Sequence, residues 1–437
     1  MSSRTWSHLT ETGSNSRMGK LLRCYWWPIA GVSELRQRRV MPVRLLSEDL
    51  VLFEQLDGTL GLLERQCPHR RADLSNGFVE QHGIRCAYHG WAFDSSGMCI
   101  EAPYEDQVRP GLCTGRIRCG AYQVREMGGI VWAYLGKDPT PQLPDWEFFH
   151  WENGFRQIVV SQVPCNWLQL QENSVDPVHF EWQHSNYVIR KKRMLQPAHH
   201  VATHVRLAFE EFQWGIVYKR LRSVTDRSDP LWATGRVCLW PCAVFPGNHV
   251  EFRVPVDDTN TLSVCWFFDR VPLECEPYQQ LQIPTWRGPV FENGRCIDTH
   301  IINQDFMAVL GQGPIADRSR ETLGASDAGI AMLRRRFDQD LSRFEADGTD
   351  PKGVIRDPAQ NQRITLPVAD RNLLLGSHRL CEMLENPYIR ERLRGFIFQA
   401  GQPEEVRESF QCAMGLRDVN IADSGPVDLL DRRDGST

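Results

Sequence analysis

The sequence has no long apolar run and no excess of basic residues. No apolar stretch approaches the about 18 residues that a membrane-spanning helix needs. The first twenty residues are polar and lack the apolar segment of a secretory signal. Fifty lysines and arginines against 55 acidic residues give a net charge of −5, which argues against nucleic acid or an anionic membrane as a partner. We therefore expect a cytoplasmic protein that binds neither nucleic acid nor a membrane.

Cysteine is sparse as well, at 14 of 437 residues, far below the density of a disulfide-stapled scaffold. In a reducing cytoplasm most of these side chains are expected to be buried thiols that behave as small hydrophobes. Any special cysteine should serve a metal or catalysis. The expectation of simple burial applies to the cysteines with no partner at ligand spacing, which are Cys24, Cys165, Cys265, Cys296, Cys381 and Cys412.

Residues 25–136 carry short strand patterns separated by turns, and no stretch there is long or periodic enough to predict a helix. The clearest strand patterns are Leu50–Glu54 and Ile130–Tyr134. The Asp57-Gly58 pair between apolar stretches is a turn signal. A small all-β domain fits this part of the chain.

A proline-rich linker follows at residues 136–144, because three prolines in six positions interrupt both helices and strands. We place a domain boundary there. Residues 1–140 form the first domain with an N-terminal extension, and residues 141–437 form the second with a C-terminal helical extension. The clearest helix of the second domain is predicted over residues 326–344, where apolar residues recur at steps of three and four.

Four candidate metal ligands lie on two short segments of the first domain. Cys67 and His69 belong to the sequence CPHR, and after sixteen intervening residues Cys86 and His89 belong to CAYHGW. Such a set fits a structural zinc site, which takes four tetrahedral sulfur and nitrogen ligands. It also fits a Rieske [2Fe–2S] cluster, in which two cysteines bind one iron and two histidines bind the other. Common zinc fingers pair like ligands along the chain, whereas here each segment supplies one of each, which favours the cluster.

A second candidate set begins in the second domain with the sequence NSVDPVHFEWQH. His179 and His184, with a later carboxylate, suit the two-histidine, one-carboxylate triad that binds Fe(II) and leaves positions open for O2. Five residues apart, the two histidines lie about 140° from each other on an ideal helix. Both can bind one metal only if the helix ends or bulges between them. Asp176 lies three residues before His179 on the same helix face and can accept its second ring N–H.

Both segments resemble motifs of the Rieske non-haem iron aromatic ring-hydroxylating oxygenases, in particular the oxygenase (alpha) subunits of the phthalate-dioxygenase-like branch. CPHR…CAYHGW is similar to their cluster motif, and N-x2-D-x2-H-x4-H is similar to their catalytic motif. The resemblance implies that the [2Fe–2S] ligands are Cys67, His69, Cys86 and His89. It implies that the mononuclear iron ligands include His179 and His184, and that the catalytic residues include Asn173 and Asp176.

The third iron ligand must come from elsewhere in the chain. Asp305 is the best candidate, because the run QD…QGPIxDR resembles the same branch, in which the early aspartate is the ligand. Asp298 and Asp317 are the rivals. Asp317 stands beside Arg318, and a surface or structural ion pair is the simpler explanation for it.

The fold implied by the resemblance is α+β, with an all-β Rieske domain followed by a helix-grip catalytic domain, an antiparallel sheet around a long helix. Subunits of the family form rings of three, which implies a homotrimer or stacked trimers with one subunit's cluster beside its neighbour's iron. A monomer is then expected to be inactive. Electrons from NAD(P)H would come through a separate reductase, because no G-x-G-x-x-G opens a helix after a strand.

The implied activity is O2-dependent hydroxylation or O-demethylation of an aromatic carboxylic acid in aromatic catabolism. Phthalate, chlorobenzoate and lignin-derived methoxy-aromatic acids are the substrate types. An arginine fork would suit the carboxylate, and a strand-like region offers Arg206, Arg220 and Arg222, whereas His199, His200 and His204 are expected to be ordinary. The alternatives are a Rieske electron-transfer protein with a non-catalytic second domain and a zinc-stabilised binding module.

Overall fold

Two sheets form the N-terminal part of the structure, a computed structural model that describes residues 6–187, 202–247, 249–368 and 400–416. The predicted strands at 50–54 and 130–134 are confirmed. The larger sheet is antiparallel, and its strands in spatial order are Trp26–Gly31, Ile130–Tyr134, Ala121–Met127, Leu60–Glu64, Glu48–Glu54 and Val40–Leu45. The smaller antiparallel sheet has the strands Phe78–Glu80, Gly83–Arg85, Ala92–Phe93 and Cys99–Glu101.

The expectation of no helix within residues 25–136 is wrong. Helices occupy Val32–Arg38 and Pro103–Val108, and the helix Arg17–Leu22 precedes them. Each has at most two turns, which is too short for an apolar period of 3.6 residues to repeat. Pro103 stands at the first helical position, where proline favours helix initiation rather than a turn.

An eight-stranded sheet forms the frame of the C-terminal part. It is antiparallel except for its last pair, and its strands in spatial order are His204–Phe212, Gly215–Arg222, Arg236–Leu239, Ala243–Phe245, His249–Asp257, Asn260–Arg270, Gly154–Val163 and Thr285–Arg287. A separate hairpin pairs Phe291–Glu292 with Arg295–Cys296. The helices are Trp167–Asn173, His179–Glu181, its π-helical continuation Trp182–Tyr187, Pro230–Ala233, Ile301–Leu310, Ala328–Asp347 and Glu404–Ala413.

The long helix predicted over residues 326–344 is confirmed and runs from Ala328 to Asp347. The middle of its apolar stripe is buried at Leu333, Phe337 and Leu341, and Phe337 meets the ring of Trp167 edge-on with centroids 5.5 Å apart. Gly348 ends the helix with a φ of 73°, the left-handed C-cap conformation that glycine adopts without strain. The α+β class and the order of a β-rich part before a sheet-and-helix part are therefore confirmed. Among the helices of the described ranges, none has the length and apolar character to cross a bilayer.

The predicted domain boundary falls in residues 135–146, which carry no helix or strand in the described chain. The main hydrophobic core nevertheless contains residues from both sides of this predicted boundary. Trp132 of the first sheet packs edge-on against Phe252 of the eight-stranded sheet, with ring centroids 5.1 Å apart. The division into residues 1–140 and 141–437 therefore stays a prediction.

The burial expected of the unpaired cysteines holds only in part. Cys165 and Cys265 are buried free thiols, whereas Cys24 and Cys296 are partly exposed and Cys412 is exposed. Cys381 lies outside the described residues. Composition alone does not say which face of a helix or strand a cysteine occupies, and Cys412 stands on the outer side of a short helix near the end of the described chain.

Candidate metal centres

The two segments that carry Cys67 and Cys86 fold into loops of the same form. The N–H of Cys67 donates to the carbonyl oxygen of Ala72 at 2.8 Å, and the N–H of Cys86 donates to that of Trp91 at 2.8 Å. Both thiols are buried, and they lie close enough to interact with each other. Each loop therefore holds its cysteine in the same way relative to the residue five positions on.

Each loop turns back through one residue with a positive φ, four positions after its cysteine. These residues are Arg71, with a φ of 60°, and Gly90, with a φ of 76°. Their N–H groups donate to the carbonyl oxygens of Cys67 and Cys86 at 2.9 and 3.0 Å. The two loops are thus alike in backbone as well as in the residues they present.

The rings of His69 and His89 lie side by side, with centroids 4.5 Å apart. His69 also stacks in parallel on Trp91 at 4.5 Å. Within the described chain, the buried Nδ1 atom of His69 has no hydrogen-bond partner. A buried polar atom without a partner destabilises the fold unless it binds something. Two buried thiols and two adjacent imidazoles with such a nitrogen fit a Rieske cluster, which takes two sulfur and two nitrogen ligands.

His179, His184 and Asp305 come together in the second part of the chain. One possible ligand atom of each lies within 4.8 Å of those of the other two. Nε2 of His184 is 3.2 Å, and Nε2 of His179 is 3.5 Å, from Oδ1 of Asp305. Two imidazoles and one carboxylate in this arrangement could bind one Fe(II) from one side and leave the other positions open.

The helix bulges between the two histidines, as their spacing requires. The α-helical turn His179–Glu181 continues as a π-helix over Trp182–Tyr187. The hydrogen-bond repeat of a π-helix runs from residue i to i+5, so residues five apart return to one face. The rings of His179 and His184 accordingly have centroids 5.0 Å apart. The predicted bulge is confirmed.

Of the three carboxylates considered, Asp305 is the one that the structure brings to the histidines. It is buried on the helix Ile301–Leu310. Asp298 instead accepts a hydrogen bond from the hydroxyl of Tyr187 at 2.8 Å. Asp317 is exposed and accepts hydrogen bonds within its own loop. Both rivals therefore have other structural roles.

The carboxylate of Asp305 is held by amides and by positive charge. The side-chain amides of Asn173 and Gln183 both donate to its Oδ1 at 3.1 Å. Burial alone would raise the pKa of Asp305, but the adjacent histidine rings and the charge of Arg253 outweigh burial and lower this pKa. The carboxyl group is therefore ionised at neutral pH, which is the form that binds a metal.

A buried charged network lies near Asp305 on the eight-stranded sheet. Oε2 of Glu251 forms an ion pair with Nη2 of Arg253 at 2.6 Å, and Oε1 of Glu251 lies 2.9 Å from Nε2 of His249. Burial favours the neutral form of Glu251, yet the charge of Arg253 lowers the pKa of Glu251 to about 2. A paired and hydrogen-bonded network of this kind supports the site rigidly.

Asp176 lies beside His179 but does not form the predicted hydrogen bond. Its Oδ2 is 3.6 Å from Nδ1 of His179, while its Oδ1 accepts the N–H of Val178 at 2.8 Å. Nδ1 of His179 is buried and has no hydrogen-bond partner among the described residues. Asp176 and His179 both line an open cleft of about 510 Å³. Asp176 thus fixes the turn that leads into the ligand segment.

Gln304 is a positioning residue that the sequence analysis missed. Its Oε1 lies 2.9 Å from Nδ1 of His184, and its Nε2 donates to the carbonyl oxygen of Asp298 at 2.9 Å. The second bond sets which end of the amide faces the ring. Nδ1 of His184 therefore carries the proton, and Nε2 is left as the metal-binding atom. Nothing in the sequence signals this role, because Gln304 is simply a polar residue next to Asp305.

Replacing Gln304 with leucine should weaken iron binding by about 10- to 100-fold, because His184 loses the acceptor that fixes its tautomer. The iron dissociation constant, measured anaerobically by chelator competition, checks this. Gln213→Leu, at an exposed position in the turn between the strands His204–Phe212 and Gly215–Arg222, is the matched control and should bind iron like the parent protein. Equal iron affinities for the two variants would contradict the role of Gln304.

The three arginines that were considered from the sequence as partners of a substrate carboxylate lie in different surroundings. Arg206 is exposed and lies over an indole ring, with its guanidinium carbon 5.2 Å from the ring centre. Arg222 is partly exposed and 3.9 Å from an aspartate. Of the three, Arg220 alone lies over the ring of Phe180, which stacks on the candidate metal ligand His179.

Comparison with known proteins agrees with these arrangements. Residues 25–114 match the family model of the Rieske [2Fe-2S] domain, which decides between a cluster and zinc in favour of the cluster. The chain is 49% identical over 414 residues to the 5,5'-dehydrodivanillate O-demethylase oxygenase subunit of Sphingobium sp., covering 94% of this chain and 96% of that protein. It is 30% identical over 383 residues to the phthalate 4,5-dioxygenase oxygenase subunit of Pseudomonas putida, covering 77% and 85%.

Solved structures share the fold. NdmA of Pseudomonas putida CBB5 aligns with a TM-score of 0.56 at 18% identity, over 78% of this chain and 97% of that one. The oxygenase in an oxygenase–ferredoxin complex of carbazole 1,9a-dioxygenase aligns with a TM-score of 0.52 at 17% identity, over 82% and 94%. With the near-full-length sequence relatives, these similarities show that the chain belongs to the Rieske non-haem iron oxygenases, as an oxygenase (alpha) subunit of the phthalate-dioxygenase-like branch.

Proposed function

We propose that the chain is the terminal oxygenase component of a system that O-demethylates an aromatic carboxylic acid with O2. The observation that carries this proposal is the presence of both donor sets in one chain, the Rieske-type Cys2His2 loops and the triad around Asp305. The 49% identity to an O-demethylase oxygenase subunit favours O-demethylation of a methoxylated acid. Relatives named as phthalate and chlorobenzoate dioxygenase subunits keep ring hydroxylation as the second activity.

The proposed reaction balances as ArOCH3 + O2 + 2 e⁻ + 2 H⁺ → ArOH + CH2O + H2O. Two electrons come from NAD(P)H through a separate reductase, and two come from the methoxy carbon. One oxygen atom is inserted into a C–H bond of the methyl group, and the other leaves as water. The hydroxylated methoxy group then loses formaldehyde as its bond to the phenolic oxygen breaks, and that oxygen takes the proton.

The proposed ligands follow the two donor sets. When bound, the cluster supplies electrons one at a time and the Fe(II) supplies the place where O2 is reduced. The cluster would be held by Cys67, His69, Cys86 and His89, and the Fe(II) by His179, His184 and Asp305.

The remaining residues of the site act through the ligands. Asn173 orients the carboxylate of Asp305 through its 3.1 Å hydrogen bond. Asp176 fixes the turn before His179 and faces the open cleft of about 510 Å³. As the resemblance to the family implies, the assembly would be a homotrimer or stacked trimers in which the cluster of a neighbouring subunit approaches Asp176. We also propose that the protein works in the cytoplasm, with residues 1–140 as the cluster domain and 141–437 as the catalytic domain.

The test combines metal analysis with turnover. Anaerobically purified protein should contain about three irons and two sulfides per chain. With a surrogate reductase and 5,5'-dehydrodivanillate as the probe, it should consume one O2 and one NADH for each formaldehyde released. A protein with a reducible cluster but no O2-dependent product from any methoxylated or chlorinated aromatic acid would instead be an electron-transfer protein with a non-catalytic second domain.

A further inference from the structure

Two arginines crowd the ring of Phe180, which directly follows the metal-binding His179 in the chain. The guanidinium carbons of Arg220 and Arg236 lie 4.7 and 4.2 Å from the centre of this ring. The same ring lies 4.3 Å from the ring of His179 and 5.3 Å from that of His184. Only the width of one phenyl ring therefore separates the two guanidinium groups from the metal ligands.

Three nitrogens of these two guanidinium groups have no hydrogen-bond partner among the described residues. Arg236 is 5% exposed, and neither its buried Nε nor its buried Nη1 has a hydrogen-bond partner among the described residues. The same holds for Nε of Arg220. Burial and the charge of Arg236 lower the pKa of Arg220 to about 9. Since a guanidinium keeps its proton at neutral pH, two neighbouring positive charges lie here with no ion-pair partner among the described residues, an arrangement that favours the binding of an anion.

His204 lies beside Arg220, and it too has a buried nitrogen without a partner among the described residues. Its Nδ1 pairs with the carboxylate of Glu181, whereas its Nε2 is buried and unpartnered within the described ranges. Glu181 also accepts the backbone N–H of His204 at 3.1 Å, so its oxygens are already engaged. His199 and His200 lie outside the described residues.

The three side chains come from adjacent strands and point to one face of the eight-stranded sheet. Arg236 stands opposite Tyr218, and Arg220 follows Tyr218 by two positions, so both project from the same face. His204 stands opposite Arg222, two positions beyond Arg220, and shares that face. Two guanidinium groups and an imidazole thus converge beside the metal ligands.

We propose that Arg220 and Arg236 form a subsite that binds the carboxylate of the substrate and thereby selects which methoxy group reaches the iron. This inference rests on the proposed function and adds the binding site of the acid. A carboxylate supplies the charge, the planar shape and the two acceptor oxygens that paired guanidinium groups recognise. A methyl ester of the same acid has the shape without the charge and should bind poorly.

Isothermal titration of the anaerobic holoenzyme with 5,5'-dehydrodivanillate and with its dimethyl ester tests the subsite. We expect the acid to bind at least about thirtyfold more tightly than the ester. Arg236→Met should weaken acid binding by about thirtyfold, leave ester binding unchanged, and raise KM in the same proportion with kcat within about threefold. Arg236→Lys should restore part of the affinity. Arg206→Met is the control, because Arg206 is exposed and projects from the opposite face.

The melting temperature of the ligand-free protein separates a binding role from a structural one. Removing a partnered structural charge destabilises a fold, whereas removing an uncompensated buried charge does not. Arg236→Met should therefore melt at or above the parent protein. Unchanged acid affinity in this variant, whatever its melting temperature, overturns the subsite and leaves the proposed function standing. A parent protein that neither binds nor demethylates the acid overturns the proposed function, and the subsite with it.

Discussion

Replacing His179 with alanine should abolish product formation and leave the spectrum of the [2Fe–2S] cluster unchanged. His179 offers one of three ligand atoms, with its Nε2 3.5 Å from Oδ1 of Asp305. Residues that only orient a ligand change metal affinity by about 10- to 100-fold. Loss of the ligand itself should therefore reduce turnover by at least about a thousandfold, equivalent to about 4 kcal/mol of transition-state stabilisation. A single-turnover assay with pre-reduced protein measures this without the reductase.

The cluster should survive this change, because its four proposed ligands lie in loops at the smaller N-terminal sheet. His82→Ala is the matched control, since His82 is an exposed histidine 3.4 Å from Asp57 and belongs to neither donor set. It should keep full turnover. Product formation above about 1% of the parent rate in His179→Ala would refute the triad, and a lost cluster spectrum in that variant would refute the independence of the two sites.

The donor sets could be predicted from the sequence because most of each set is local. Cys67 and His69 lie in one loop, and the equivalent pair lies in a second loop of the same form. The spacing of His179 and His184 also required a break in helix geometry, and the π-helix after His179–Glu181 provides it. Geometry of this kind depends on the spacing of residues within one short segment, so the sequence of that segment is enough to predict it.

The contacts that support the ligands could not be predicted, because they join distant parts of the chain. Gln304 is 120 residues from His184 in the chain, and only the fold shows that its side-chain amide hydrogen-bonds the ring of His184. Arg236 begins a strand whose neighbour in space carries Tyr218 and Arg220, a pairing that depends on sheet register. The sequence analysis named Arg220 together with Arg206, which projects from the opposite face, and Arg222, which lies 3.9 Å from Asp229, because a strand pattern alone gives neither the register nor the partners.

The largest loss of stability is expected from Glu172→Gln. Glu172 precedes Asn173 in the helix beneath the metal site and accepts hydrogen bonds from Arg318 at 3.0 and 2.9 Å and from Arg334 at 2.7 Å. Glu172 is 7% exposed, and both arginine side chains are 2% exposed. Glutamine keeps the size but removes the charge and turns one acceptor into a donor that faces a guanidinium. The free energy of unfolding should fall by about 3–5 kcal/mol.

Hydrogen exchange of the helix Trp167–Asn173, together with the thermal midpoint, measures this effect without assuming two-state unfolding of a large chain. Glu345→Gln is the matched control, because Glu345 also accepts two hydrogen bonds from one arginine, Arg17, at 2.6 Å, but the two side chains are 42% and 49% exposed. Loss of the Glu345 charge should change the free energy of unfolding by no more than about 1 kcal/mol. Equal shifts in the two glutamate variants would refute the argument from burial. The same argument predicts opposite signs at two buried sites: removing the charge of Glu172 leaves Arg318 without its carboxylate and Arg334 with Glu321 alone, whereas removing Arg236 relieves a charge that has no ion-pair partner among the described residues.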